Sequence, residues 1–182
     1  MRPTAYHALG SAIAIAFALT LSACSSTTGQ PVVPRVLSAH VSQVSGDPNF
    51  RPFLSNSDHR VILQTVGGDT TMRIVGKEFT DPSAPVPLQL VDLQITVFSG
   101  VVVGPATYRS PQGQGQIDVT GLNGTWGSEH TSDFTLEVTQ LDLAANQASG
   151  NFRFIGKRSP NDTESVFVEE GAFLFLSIQD LR

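Results

Sequence analysis

The 182-residue chain has one cysteine, Cys24, and two lysines, Lys77 and Lys157. A single cysteine excludes a disulfide within the chain and any metal site built on several thiolates. Two lysines among 16 acidic residues leave no basic cluster to grip a phosphate backbone, so nucleic acid is excluded as a partner. They also leave no polybasic stretch to hold anionic lipid headgroups. No apolar run reaches the roughly 20 residues that span a bilayer, and no segment carries the 3.6-residue stripe of an amphipathic helix. Gly-x-Ser-x-Gly, His-Glu-x-x-His and Ser-x-x-Lys are all missing. Gly113-Gln114-Gly115 opens no helix and is no phosphate cradle. The residues therefore nominate no catalytic, cofactor-binding or metal-ligating set.

What is present starts with an export leader. Arg2 and His7 make a polar start, Ala12 to Leu19 is an unbroken apolar run, and small residues Ser22 and Ala23 follow. That run suits the h-region of a signal peptide and is too short to cross a membrane. Leu21-Ser22-Ala23-Cys24 resembles the lipobox of bacterial lipoproteins, a specific motif when it closes an h-region. The competing reading is an ordinary secretory leader with an incidental cysteine. The resemblance implies cleavage before Cys24, diacylation of its thiol and usually a third acyl chain on the new amino terminus. Two or more acyl chains hold firmly where one anchors only marginally, at about 0.8 kcal/mol per buried CH₂. Ser25 stands where inner-membrane retention in enterobacteria usually shows Asp, so the resemblance points to the outer membrane. The expected organisation is a signal peptide over 1–23, a lipidated tether over 24–35 and one domain over 36–182.

Losing Arg2 with the leader leaves ten basic against 16 acidic residues, a net charge of −6. With Cys24 acylated, the domain must hold itself together by packing alone, and 36–182 is long enough for one substantial core. Ser25 to Pro34 lacks apolar periodicity and carries Pro31 and Pro34, as a solvated linker should. Val36 to Ser45 predicts a strand with Leu37, Ala39 and Val41 on one face. Gly46 to Asp58, broken by Pro48 and Pro52, reads as a loop whose aromatics Phe50 and Phe53 pack down onto the domain.

From His59 onward the pattern has period two. His59–Val66 and Thr70–Val75 flank Gly67-Gly68-Asp69, which is hairpin spacing. Three prolines forbid a central strand over Thr80–Pro87. Val91, Leu93, Ile95 and Val97 alternate with Asp92, Gln94 and Thr96, and Val101-Val102-Val103 precedes the break at Gly104-Pro105. Pro111 to Gly115 is expected to turn, and Ile117, Val119, Leu122 and Trp126 to populate short strands. Ala144-Ala145-Asn146 suits a three-residue hairpin loop with Asn146 left-handed, which sets Val138 opposite Phe152 and Leu136 opposite Phe154. A further turn at Ser159–Asp162 sets Val166 opposite Phe154 and Val168 opposite Phe152. One face of a three-stranded meander then carries Phe134, Leu136, Val138, Phe152, Phe154, Val166 and Val168. Glu169-Glu170-Gly171 predicts a bulge, and Ala172 to Leu176, apolar at every position, a strand covered on both sides. Gly150–Phe154 and Gly171–Phe175 look alike because both meet the same packing demand; two short copies make no repeat architecture. The fold class is all-β: an antiparallel β-sandwich or partly open β-barrel ending in that meander.

Ala106-Thr107-Tyr108, Gly150 to Phe154 and Val168 to Phe173 also give the domain a resemblance to uncharacterised β-rich lipoproteins of the Bacteroidetes type. Pro105-Ala106 replaces the glycine of the first motif. No activity is established for that family, so the resemblance implies architecture and no chemistry. Glu129, His130 and Asp133 form the only acidic-histidine cluster; on a strand the first two would point to opposite faces, so they read as a polar strand edge. The histidines His40, His59 and His130 are far apart in sequence. Asp162-Thr163-Glu164 lacks the ligand order of a calcium loop and reads as a solvated turn. The functional expectation is an outer-membrane-anchored lipoprotein, periplasmic or surface-exposed, whose noncatalytic β domain is a structural or protein-interaction module. The alternative is a small-molecule or lipid binder using a cavity between the sheets, where Phe152, Phe154, Phe173 and Phe175 would line the space. The expected partners are the membrane, through the acyl chains on Cys24, and another envelope protein.

Overall fold

Alternation of apolar and polar residues is enough to build most of this domain, because successive side chains on a strand face opposite ways. In Gln89–Val97 the residues Val91, Leu93, Ile95 and Val97 are buried and their neighbours are half-exposed. The computed structural model describes residues 35–47, 49–98 and 103–182. Cys24, the leader, Ser25–Pro34 and Val101-Val102 lie outside the described residues. Eleven strands follow in chain order: β1 (Val36–Ser42), β2 (Arg51–Leu54), β3 (Ser57–Val66), β4 (Asp69–Phe79), β5 (Gln89–Val97), β6 (Ala106–Arg109), β7 (Gly113–Val119), β8 (Thr125–Gly127), β9 (Phe134–Asp142), β10 (Gln147–Gly156) and β11 (Val166–Leu181). Among the described residues a single 3₁₀ turn, Ser128–His130, interrupts them.

The strands form one curled, mixed sheet in the order β6-β9-β10-β11-β3-β4-β5-β7-β8, with β1 beside β11 and β2 beside β1, and the curl makes a half-barrel. All pairs are antiparallel except β11 with β3, where Ser177–Leu181 run parallel to Arg60–Gln64. The all-β expectation therefore holds with one parallel pair added. The 16-residue β11 is shared: its first part pairs with β10 and β1, its last five residues with β3. The two walls of the curl meet through a core that includes Leu37, Phe53, Ile74, Leu93, Ile117, Trp126, Leu136, Phe154 and Phe173. Full burial of each large apolar side chain contributes about 1.5–3 kcal/mol.

The seven residues expected on one meander face, Phe134, Leu136, Val138, Phe152, Phe154, Val166 and Val168, are all buried. Their partners differ from the expectation. Asn146 is left-handed at φ 55 as expected, but Gln147 pairs with Asp142, so the loop is one residue longer. A bulge between Ser149 and Gly150 then shifts the register again, giving Phe152 opposite Leu136 and Phe154 opposite Phe134. Each one-residue step flips the faces, and two steps restore them. On the other side Val168 opposes Phe154 and Val166 opposes Gly156, again two residues from the expected register.

Four other expectations need correction. The loop 46–58 contains β2, an edge strand in which Pro52 is tolerated because only β1 pairs with it; Phe53 is buried as expected. The β3–β4 hairpin turns on Gly67 and Gly68 alone, at φ 63 and 96, with Val66 paired to Asp69, because the type I′ two-residue turn needs positive φ at both centres. Gly113 and Gly115 are strand residues of β7. Ala172–Leu176 is not covered on both sides, since Leu174 is 43% exposed.

Gly115 is one of the places where the two walls touch closely. A Cβ there would overlap the Phe154 ring, and one on Gly113 would meet the Phe134 ring. Gly115→Ala is expected to lower stability by about 1–3 kcal/mol, the cost of overpacking a filled core, read as a lower urea midpoint. Phe154→Leu in the same chain should recover part of that loss; purely additive effects would contradict the contact.

Candidate functional site

The outer face of the β2-β1-β11-β10-β9-β6 wall carries the residues that alternate with its core. Register places His40 of β1 between Pro52 and Glu169, and Thr135 of β9 between Arg153 and Arg109. The rows join at the bulge of β11. Phe154 opposes Val168 while Phe152 opposes Gly171, so Arg153 faces both Glu169 and Glu170. The bulge was expected, but the left-handed residue is Glu170, φ 48. Gly171 instead makes room on the inner face, where a Cβ would overlap the Phe152 ring.

Two adjoining depressions, of 440 and 490 Å³, share Arg153 and Glu170. The first lies over Thr135, Glu137 and Asn151; the second lies over His40, Asp47, Phe50 and Glu169. The His40 ring stacks on Phe50 at 3.6 Å and 17°, with its Nδ1 3.1 Å from Glu170 Oε2. Glu169 accepts hydrogen bonds from the Gly46 amide at 3.1 Å and the Ser45 hydroxyl at 3.3 Å. Among the described residues, the exposed Arg153 and Glu137 make no ion pair or side-chain hydrogen bond. An exposed contact such as that of His40 with Glu170 adds little stability, about 0–1 kcal/mol. Their chemistry is directional: a fixed aromatic-imidazole wall, a free guanidinium and a free carboxylate on one shallow groove.

The other candidate residues are placed differently. Glu129 and His130 lie on the 3₁₀ turn, not a strand edge, so their side chains approach to 3.7 Å instead of pointing apart. No group of three or more His, Cys, Asp or Glu able to hold a metal occurs among the described residues. His59 sits by Ser55, 3.5 Å away, and His40 by Phe50, so the described histidines do not converge. Asp162 and Glu164 are held by the protein's own cation: Arg158 Nε is 2.6 Å from Asp162 Oδ2, and its Nη2 is 2.8 Å from Glu164 Oε2. The same guanidinium lies 4.6 Å from the Trp126 ring centroid. Sequence reading missed the groove. Its visible signal was Glu169-Glu170-Gly171, but the arrival of His40, Phe50 and Arg153 depends on pairings distant in sequence. The chain matches no family model, no curated protein and no solved structure.

The Arg158 hydrogen bond holds the Asp162 carboxyl at about 2, below its ordinary 3.8. A depressed carboxyl favours the fold above its unfolded value, near 3.8, and loses that contribution as pH falls through about 2. Arg158→Ala should return the Asp162 midpoint toward 3.8 in an NMR titration. A midpoint that stays near 2 in the variant would contradict the assignment.

Proposed function

We propose that the chain is a lipid-anchored protein of a bacterial envelope, of the outer membrane in the reading favoured by Ser25, whose β domain is a noncatalytic module that docks another envelope protein. The packing of Gly115 against Phe154 carries this reading. It leaves no room for even a methyl group at that contact, which supports a solid interior over one hollowed for a ligand. Phe152, Phe154 and Phe173 are all buried in that core, which favours them as packing residues and not as a cavity lining. Recognition then belongs on the outside.

The groove over the β11 bulge is the surface best suited to it. Its lining carries both signs of charge at fixed positions, with Arg153 and Glu137 free to pair with a partner's carboxylate and ammonium or guanidinium groups. Complementary charges set orientation and encounter rate more than raw affinity. A photo-reactive amino acid at Asn151, exposed on this groove, should cross-link the lipoprotein in its own envelope to one discrete partner. Arg153→Glu in the same chain should reduce that product at least several-fold. A cross-link pattern indifferent to Arg153, or found equally with the probe moved to Asp69 on the β3–β4 hairpin, would overturn the proposal.

A further inference from the structure

Four of the exposed large apolar side chains belong to segments that come together at the start of β1. Val36 pairs with Leu174, and its neighbour Ser38 pairs with Leu54; Leu174 is 43% and Leu54 57% exposed. Alternation turns all three of Val36, Leu54 and Leu174 to the outer face, because Leu37 and Phe53 take the inner one. Two residues past Leu54, Asn56 donates to the Phe79 carbonyl at 2.8 Å and accepts from the Phe79 amide at 3.0 Å. The Thr80 amide then donates to the Leu88 carbonyl at 3.0 Å. The β4–β5 loop is thereby stapled beside Leu54, bringing Val86, 88% exposed, and Leu88, 58% exposed. Isolated exposed apolar residues need no explanation, whereas a gathered set marks a contact surface.

The position of this set along the chain says what covers it. Val36 follows Cys24 by twelve residues, so the anchor is tied to this end of the domain and to no other. Twelve residues of chain reach at most about 40 Å. The tie holds the apolar end near the bilayer at an effective concentration in the millimolar range, where even weak contacts are occupied. The opposite end of β1, Ser42, lies about 20 Å from Val36 at the rise of a strand and leads on to Val44.

We infer that the end of the domain formed by Leu54, Val86, Leu88 and Leu174 around Val36 rests on the headgroup-acyl boundary of the membrane that holds Cys24. The inference rests on the lipoprotein reading above. A bilayer of zwitterionic lipid is the matching surface: the set is apolar, and the net charge of −6 left once the leader is lost repels anionic headgroups. The groove over Glu169 and Glu170 lies further along the same face, since His40 is four residues up β1 from Val36, about 13 Å.

The natural cysteine is the proposed acylation site, so single-cysteine labelling reads the geometry directly. The mature lipidated chain, carrying Val86→Cys or Val44→Cys with an environment-sensitive fluorophore, is reconstituted into phosphatidylcholine vesicles containing a shallow spin-labelled lipid. Val86 and Val44 are both exposed loop positions, so neither change should disturb folding; Leu174→Cys gives a third position within the apolar set. Quenching at positions 86 and 174 several-fold greater than at position 44 is the expected result. Equal quenching, with intact mass showing acylated Cys24, would overturn the inference and leave the anchor standing. An intact mass without acyl chains on Cys24 would overturn both.

Discussion

Strand β11 must face one core while pairing with three other strands, and its two bulges make that possible. Val168 and Val166 face inward on even positions. After Glu170 the inward positions are odd, Gly171 and Phe173; after Phe175 they are even again, Leu176 and Ile178. Glu170 and Phe175 are the left-handed residues at these two changes, with φ 48 and 53. Non-glycine residues in that conformation cost of order 1–3 kcal/mol each and persist only where the surroundings over-determine them. Here the surroundings are Phe152, Phe154, Phe173 and Leu176, all buried. The Ser149 hydroxyl also accepts the Phe175 amide at 3.0 Å, and Asn146 Oδ1 accepts the Ile178 amide at 2.9 Å. These side-chain bonds replace ladder bonds that an irregular strand cannot make.

The same irregularity links fold to surface. An extra residue at Glu170 turns two adjacent glutamates toward Arg153 and makes room for the His40–Phe50 stack beside them. Inside, Gly171 admits the Phe152 ring and Gly115 the Phe154 ring. Each close approach uses space that a ligand cavity would need. Core packing and an outward-facing site are therefore two results of one strand geometry.

Much of the fold was legible because one property, alternation, sets both burial and pairing face. Leu37, Ala39 and Val41, the β5 set, and the seven apolar meander residues all lie where alternation puts them. Register was less legible, since a one-residue loop extension and a bulge at Ser149/Gly150 have weak local signatures. Their effects cancelled in facing but not in partner. The apolar run Ala172–Leu176 suggested cover on both sides; it reflects instead a change of inward parity at Phe175. The strand role of Gly115 was hidden because a glycine between Gln114 and Gln116 looks like a turn until the Phe154 ring above it is placed. The groove was least legible, as β1, β10 and β11 meet there from opposite ends of the chain.

Everything proposed for the outer face depends on the walls of the half-barrel closing on a solid core. Native mass spectrometry of the mature chain released from detergent addresses that most directly. A solid core predicts the mass of the polypeptide, with whatever acyl chains Cys24 carries under the proposal, and nothing more. A further stoichiometric apolar adduct, retained in the folded protein and lost on unfolding, would contradict it and place a ligand where Phe154 meets Gly115.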